Sequence, residues 1–330
     1  MDPQFVMASG SGFELNSARF PVVGANNYYL GFVSAAMRRA VLDAAGQFGF
    51  NVLRAWAFLD QPWRGAWFQN GETINDSETG LARLDQLVAD AEAANIRLIL
   101  PLVNYWPDFG GMDQYVSWAG GGPRERFYGD EAVRAMYRNW VQHVLTRQNT
   151  VTGRLYREEP AILAWELANE PRCETPELLL GWVREMSQWV KEHDPNHLLA
   201  VGDEGFDGDG FLEIVEIDFG TFHLYPQAWK QADPIASGVR WIEQHIAAGR
   251  EAGKPMLLEE YGMRGDQREV TYRAWLDAVL GQGGAGDLAW MLASTDGATG
   301  ERYPDYDGFT FYEPDDVPAI RDHVRQMLSR

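Results

Sequence analysis

The sequence has little cysteine and little positive charge. Its 330 residues include one cysteine, Cys173, which excludes an internal disulfide and a metal site built from several cysteines. The 28 basic residues are outnumbered by 48 acidic ones, so the formal net charge is −20 at pH 7. Such a surface repels phosphate backbones and anionic lipids. We therefore expect neither nucleic acid nor membranes among its partners, and a neutral ligand suits the charge better.

Long apolar runs and an export signal are also missing. No run of 18 apolar residues occurs, which excludes a membrane-spanning segment of ordinary length. Met1–Gly12 lacks the charged start and apolar middle of a signal peptide. Because a second methionine stands at Met7, we expect residues 1–12 to be a flexible leader, in part derived from expression, before one domain at residues 13–330. The protein would be extracellular if an export signal had been removed, and cytoplasmic otherwise.

What the sequence does contain is a regular alternation of short apolar runs with longer segments of helical period. This alternation is typical of βαβ units and a parallel sheet. The predicted strands are Phe20–Asn26, Asn51–Ala57, Arg97–Val103, Ile162–Glu166, Leu198–Val201, Phe219–His223, Met256–Glu260 and Asp287–Leu292. The predicted helices are Ala36–Phe48, Leu81–Ala94, Asp130–Asn149, Pro176–Glu192, a short one near Gly210–Ile217, Gly238–Ala252, Val270–Leu280 and Pro318–Ser329. Eight such repeats predict a single (β/α)8 TIM barrel with long βα loops, one of them Leu59–Thr79.

A TIM barrel carries its catalytic groups where the strands end, at the C-terminal face. Several predicted strands here end in polar and aromatic side chains: Arg54, Asn104, Trp106, Asn169, Glu170, His223, Tyr225, Glu260 and Trp290. Strands four and seven lie on opposite sides of such a barrel, so their carboxylates would face each other across its mouth. Cleavage of a glycosidic bond needs two carboxyl groups, about 5–5.5 Å apart for retention of configuration and about 6.5–9.5 Å apart for inversion. The set is typical of a retaining glycoside hydrolase.

Each carboxylate has an expected role. Glu260 would be the nucleophile, kept ionised by Arg54 and by hydrogen bonds from neighbours such as Tyr225. Glu170 would be the acid/base, with its pKa raised by burial and by the charge of Glu260. Asn169 would donate a hydrogen bond to the 2-hydroxyl of the sugar.

Other positions have a structural alternative. Adjacent side chains of a strand point to opposite faces, so Glu259 is expected to be structural and to face the helices. Trp290 can fill the barrel instead of lining the cleft, and Trp106 and Trp118 can belong to either the core or the cleft.

No pattern in the sequence predicts a metal or a cofactor. The glycines of Gly281–Gly286 precede a predicted strand, whereas a dinucleotide-binding motif follows one. Asp207–Gly210 lacks the later acidic ligand of a calcium loop. His193 and His197 are separated by a turn, so they do not form a helical metal pair.

Longer segments carry a family resemblance. Trp165–Cys173 closely resembles the acid/base segment of the glycoside hydrolase family 5 endo-β-1,4-mannanases of clan A. Further segments are similar to that family in the same order: Arg54–Phe58, Gly110–Tyr115, Val144–Thr150, Asp218–Pro226 and Glu259–Gly262. The resemblance covers nearly the whole chain, from Phe13 to Ser329.

The resemblance implies specific residues and a specific substrate. Glu170 would be the acid/base and Glu260 the nucleophile. The subsite for the sugar being cleaved would be lined by Arg54, Asn169, His223, Tyr225 and Trp290, with Trp106 and Trp118 as further sugar contacts. The implied enzyme is a monomeric retaining hydrolase of β-1,4-mannan, glucomannan or manno-oligosaccharides, without metal or cofactor.

Two departures from the family pattern keep alternatives open. Only Asp207–Ile217 separates Phe206 from the next strand, where the family has a longer insertion, and Tyr105 replaces the more usual asparagine. An exo-acting β-mannosidase or mannobiohydrolase and a β-1,4-glucanase of the same clan remain alternatives. So does a non-catalytic carbohydrate-binding protein, although binding alone needs no opposed carboxylates.

Overall fold

The computed structural model describes residues 5–206, 209–313, 315 and 317–330. Eight parallel strands form its main sheet: β1 (Val22–Asn26), β2 (Val52–Arg54), β3 (Arg97–Pro101), β4 (Ile162–Glu166), β5 (Leu198–Ala200), β6 (Gly220–Leu224), β7 (Met256–Tyr261) and β8 (Gly286–Ala289). Paired neighbours follow the order β5-β4-β3-β2-β1-β8-β7-β6. Strands β5 and β6 are not paired in a ladder. Individual hydrogen bonds connect them, from Asp218 N to Leu199 O (2.8 Å) and from His223 N to Glu204 O (3.1 Å), and close the barrel. The predicted (β/α)8 barrel is confirmed.

The helices surround this sheet. They are α1 (Ala35–Phe48), α2 (Ala82–Ala93), α3 (Gly111–Trp118), α4 (Arg126–Gly129), α5 (Glu131–Thr146), α6 (Pro176–His193), α7 (Pro234–Ala252), α8 (Arg268–Gln282) and α9 (Pro318–Leu328). After β5 a short 3-10 helix, Asp209–Glu213, stands in their place, and the preceding residues 207 and 208 lie outside the described part of the chain. Within the described ranges, no helix is both long and apolar enough to cross a bilayer.

Local signals set the helix ends, and one of them corrects a prediction. Helix α7 begins at Pro234, four residues before the predicted start at Gly238, because Asp233 caps it by accepting a hydrogen bond from Ala236 N (3.0 Å). A proline in the first turn suits a helix, since no amide hydrogen is needed there.

The N-terminal segment covers the bottom of the barrel. Met7–Ser9 pairs antiparallel with Gly12–Leu15, which in turn pairs with Ala18–Arg19. Val6 and Phe13 are each only 2% exposed and pack with the inward-facing residues of the strands. Residues 1–4 of the expected leader lie outside the described residues, but Val6 is buried and Met7–Ser9 is a paired strand. The expected domain start at residue 13 is therefore not a structural boundary, because apolar burial extends to Val6.

Strand β7 carries a bulge at Glu259. On one side Phe222 and His223 of β6 pair with Leu258 and Glu260, so Glu259 is the extra residue. The ladder to β8 shifts over the same stretch, between Leu258 and Tyr261. A bulge breaks the alternation of side chains and re-aims them. The prediction that Glu259 faces the helices is wrong: its carboxyl group lies inside the barrel, 3.6 Å from Arg54 Nε.

Candidate active site

Arg54 is the centre of the polar cluster at the C-terminal end of the barrel. Its side chain is fully buried at the end of β2. Nη1 donates to Glu260 Oε1 (2.6 Å), Nη2 to Asn169 Oδ1 (2.8 Å) and Nε to Glu166 Oε2 (2.9 Å). Because a guanidinium is planar and rigid, these bonds fix the relative positions of strands β2, β4 and β7.

Glu260 projects from β7 and is 4% exposed. Besides Arg54, the hydroxyl of Tyr225 donates to its Oε2 (2.7 Å), as the sequence predicts. Each oxygen of the carboxyl group therefore has one donor. A carboxylate held in this way is oriented for attack on a neighbouring carbon.

Glu170 follows β4 and has a positive φ of 51°, which is uncommon for a residue with a side chain. Its amide donates to Gly202 O (2.7 Å), which anchors the strained turn. The indole of Trp106 donates to Oε2, and His223 Nδ1 lies 2.6 Å from Oε1. Carboxyl oxygens of Glu170 and Glu260 lie within 4.8 Å of each other, the close spacing of a retaining pair.

The protonation of this pair depends on His223, which lies between the two carboxyl groups. Burial lowers the pKa of His223, but the carboxylates of Glu260, Glu170 and Glu259 outweigh it and hold the pKa well above its ordinary value. Burial raises the pKa of Glu170, yet the hydrogen bonds from His223 and Trp106 bring it below its ordinary value. Burial also raises the pKa of Glu260. His223 and Arg54 lower it and the charge of Glu170 raises it, so the pKa stays above its ordinary value.

These directions correct the expected protonation. The prediction that Glu170 has a raised pKa is wrong, because His223, 2.6 Å away, stabilises its charged form. A proton on His223 Nδ1 is within hydrogen-bond distance of Glu170 Oε1, so the protonation of the two side chains is linked.

The amide of Asn169 is fixed from two sides. Its Oδ1 accepts from Arg54, and its Nδ2 donates to Asn104 Oδ1 (2.9 Å). One hydrogen of the amide nitrogen is left for another acceptor, which suits the predicted contact with a sugar hydroxyl.

Aromatic rings follow the ends of β3 and β8. The ring of Trp290 stacks with Tyr28, with centroids 6.0 Å apart, and its Nε1 donates to Asp307 Oδ2 (2.7 Å). The ring of Trp106, which donates to Glu170, lies with its centre 4.9 Å from the guanidinium of Arg172. Flat apolar surfaces of this kind suit the faces of sugar rings.

The structure does not bring Trp118 into this cluster. It lies at the end of α3, half-buried, and packs against Tyr115 with ring centroids 5.2 Å apart. Among the described contacts, none joins Trp118 to either carboxylate, so the core alternative describes it better.

The strand-end argument overlooked several residues because it was not applied to β1 and β5. Tyr28 follows β1, and its hydroxyl lies 2.8 Å from that of Tyr303. Glu204 follows β5 and accepts from Arg172 Nε (2.6 Å). Burial and the charge of Glu170 raise the pKa of Glu204 to about 7, although Arg172 lowers it. The same rule, applied to all eight strands, would have found Tyr28 and Glu204.

Glu170, His223 and Glu260 are also close enough to act together as metal ligands. Each carboxyl oxygen among them already accepts a hydrogen bond from a protein donor or faces His223. These contacts hold the three side chains in place within the protein. Two opposed carboxylates of this kind, at the C-terminal face of a (β/α)8 barrel, define a retaining glycoside hydrolase.

Comparison with known proteins specifies the family. Residues 3–278 match the model of the GH family 5 beta-mannosidase-like proteins. A mannan endo-1,4-beta-mannosidase A from Podospora anserina is 38% identical over 96% of this chain and 90% of its own length. The crystal structure of an endo-1,4-beta-mannanase from Rhizomucor miehei superposes with a TM-score of 0.92 at 34% identity, covering 99% of this chain and 100% of that one. An endo-beta-1,4-mannanase from Thermotoga petrophila gives 0.87 at 40% identity, covering 94% and 78%. The chain belongs to glycoside hydrolase family 5.

Proposed function

We propose that this protein is an endo-acting β-1,4-mannanase that retains anomeric configuration, with Glu260 as nucleophile and Glu170 as acid/base. The observation that carries the proposal is the close, opposed placement of the two carboxyl groups, within 4.8 Å of each other. The substrate and the endo mode are supported by the similarity, at 34–40% identity, to proteins named for that activity.

In the first step Glu260 attacks the anomeric carbon. Arg54 and Tyr225 each donate to one of its two oxygens and so hold the carboxylate in place. Glu170 passes the proton that it shares with His223 to the glycosidic oxygen, and the leaving sugar departs. The product of this step is a covalent glycosyl ester of Glu260.

In the second step water replaces the leaving sugar. Glu170, now ionised, removes a proton from the water, which attacks the anomeric carbon and releases Glu260. Two inversions at one carbon give net retention. Asn169 donates to the 2-hydroxyl through both steps, a contact that strengthens in the oxocarbenium-like transition state.

The roles can be tested with alanine variants, azide and an aryl β-mannoside, whose leaving group needs little protonation. Glu260→Ala should be rescued by azide and should give the α-mannosyl azide, since azide enters from the face that Glu260 vacates. Glu170→Ala should instead give the β-mannosyl azide, formed on the glycosyl-enzyme. Glu259→Ala is the neighbouring control and should give no azide product. An α-azide from Glu259→Ala in place of Glu260→Ala would overturn the assignment.

The substrate and the mode of action need a separate digest. Mannan, cellulose and mannobiose are each incubated with the enzyme and the products separated by chromatography. We expect mixed manno-oligosaccharides from mannan. A single small product would mean exo action, products from cellulose alone would mean a glucanase, and no product would mean a binding protein.

A further inference from the structure

Beneath the catalytic pair lies a second pair of carboxyl groups, those of Glu166 and Glu259. Both side chains are fully buried. Both face Arg54 Nε, which lies 2.9 Å from Glu166 Oε2 and 3.6 Å from Glu259 Oε2. Since Arg54 also binds Glu260, one guanidinium serves three carboxyl groups. One cation cannot neutralise three anions, and buried uncompensated charge is costly.

The two deep carboxyl groups lie side by side, because Oε2 of Glu166 and Oε2 of Glu259 are both close to the same nitrogen, Arg54 Nε. Oε1 of each has no partner among the described residues. Two ionised carboxylates have no hydrogen to share and repel at this distance, whereas one proton between them makes an O–H···O bond.

We propose that Glu166 and Glu259 share one proton, and that this acid–carboxylate pair positions Arg54 and His223 for the reaction at Glu260. Neither residue touches the sugar: both are positioning residues. The kinetic part of the inference rests on the proposed function, whereas the shared proton does not.

The surroundings assign the proton to Glu166. Glu259 faces two cations, Arg54 and His223, whose Nε2 lies 3.5 Å from Glu259 Oε2. Among the cations of the described residues, Arg54 is the one that forms an ion pair with Glu166. Burial raises the pKa of Glu166 well above its ordinary value, whereas Arg54 and the hydrogen bonds from Glu166 and His223 outweigh burial and lower that of Glu259 to about 2.

Among the described residues, the charged cluster comes from four strands or the turns that follow them. It consists of the pair itself and Arg54, Glu170, His223 and Glu260. With His223 as imidazolium, two cations face four carboxyl groups. A proton on Glu166 reduces the net charge of the cluster from −2 to −1. It also leaves Arg54 free to bind Glu260, because a neutral Glu166 competes less for the guanidinium.

Matched glutamine variants distinguish the two members of the pair. Glu166→Gln copies the neutral acid, since its amide donates to Glu259 and its carbonyl accepts from Arg54. We expect kcat within about threefold of the wild type and an unchanged pH profile. Glu259→Gln removes the anion that faces Arg54 and His223, and we expect kcat to fall about tenfold or more with KM little changed.

The pH profile supplies a readout that a merely structural role would not move. In Glu259→Gln, His223 loses a neighbouring anion, so its pKa falls and the alkaline limb of kcat/KM moves to lower pH. Equal losses in the two glutamine variants, or the larger loss in Glu166→Gln, would overturn the proposal.

Infrared spectroscopy tests the proton without any substrate. At pH 7 the wild-type protein should show a carboxylic acid C=O band that is lost in Glu166→Gln and kept in Glu170→Gln. Asp60→Asn and Glu204→Gln are further controls, because burial also raises the pKa of Asp60 well above its ordinary value and that of Glu204 to about 7. A wild-type spectrum without such a band would overturn the shared proton even if no variant folded. Loss of the band in Glu166→Gln from an enzyme inactive on mannan would refute the proposed function and leave the pair standing.

Discussion

The two ends of the barrel are built from the same strands but from opposite kinds of side chain. At the N-terminal end, Phe13, Phe219 and Leu257 pack in an apolar plug. At the C-terminal end, the interior holds Arg54 and its ring of carboxyl groups. Strand β7 is an example: it supplies Leu257 to the apolar end and Glu260 to the polar end. The barrel therefore separates stability from chemistry along each strand.

The two ends should also differ in how well they tolerate substitutions. Apolar contacts are non-directional, so the plug should accept other side chains of similar volume. The polar end depends on donors and acceptors that must all be paired. A change there should alter activity more than the free energy of unfolding, and a change in the plug should do the reverse.

The largest expected effect is at the polar end, in Glu260→Ala. We expect kcat/KM on mannan to fall by about 10⁴-fold or more, because the covalent step loses its nucleophile. The melting temperature should stay the same or rise, since a buried carboxyl group is removed. Kinetics and calorimetry on the same preparation measure both. If Glu260→Ala kept a tenth of the wild-type activity, the polar end would not carry the catalysis that the comparison assigns to it.

The opposite result is expected from Phe13→Ala in the plug. The ring of Phe13 packs edge-on against Phe219 with centroids 5.3 Å apart. Its loss should cost about 3–5 kcal/mol of unfolding free energy, with kcat at 25 °C unchanged. Denaturant titration measures the free energy of unfolding, and steady-state kinetics measure kcat. Val215→Ala, at a side chain 86% exposed, is the control and should change neither quantity.

His223→Asn should change the pH dependence more than the stability. The raised pKa of His223 means that wild-type His223 keeps its proton above its ordinary pKa, and activity falls only when pH rises past the raised value. In the variant Glu170 alone must carry the proton, and a carboxyl group is less basic than an imidazole. The alkaline limb of kcat/KM should therefore move to lower pH. An unmoved limb would show that His223 does not hold the proton.

The smallest expected effect is that of Trp118→Ala, which is compared with Trp106→Ala. Trp106→Ala removes a donor to Glu170 and should lower kcat/KM about tenfold or more. Trp118→Ala should leave KM for mannan within about twofold, because Trp118 packs against Tyr115. Steady-state kinetics on mannan decide the matter. A large increase of KM in Trp118→Ala would return this residue to the cleft.

The sequence was sufficient for the architecture and for most of the candidate site. Apolar periodicity located the eight strands, and the strand-end rule brought Arg54, Glu170 and Glu260 to one face. The direction of Glu259 could not be predicted, because a bulge depends on register with both neighbouring strands. The pKa of Glu170 depends on the distance to His223, 53 residues away, which no local pattern contains.

The extra residue in β7 has a consequence for protein engineering. An ordinary strand delivers every second side chain to the inside of a barrel, so a reactive group and its immediate support must come from different strands. By inserting one residue, β7 supplies Glu260 and Glu259 from consecutive codons. Deleting either codon would therefore remove the bulge and leave a single carboxyl group inside the barrel, while Tyr261 would still face Tyr272 of α8. A designer who needs two adjacent functional groups at one depth of a barrel can use the same insertion.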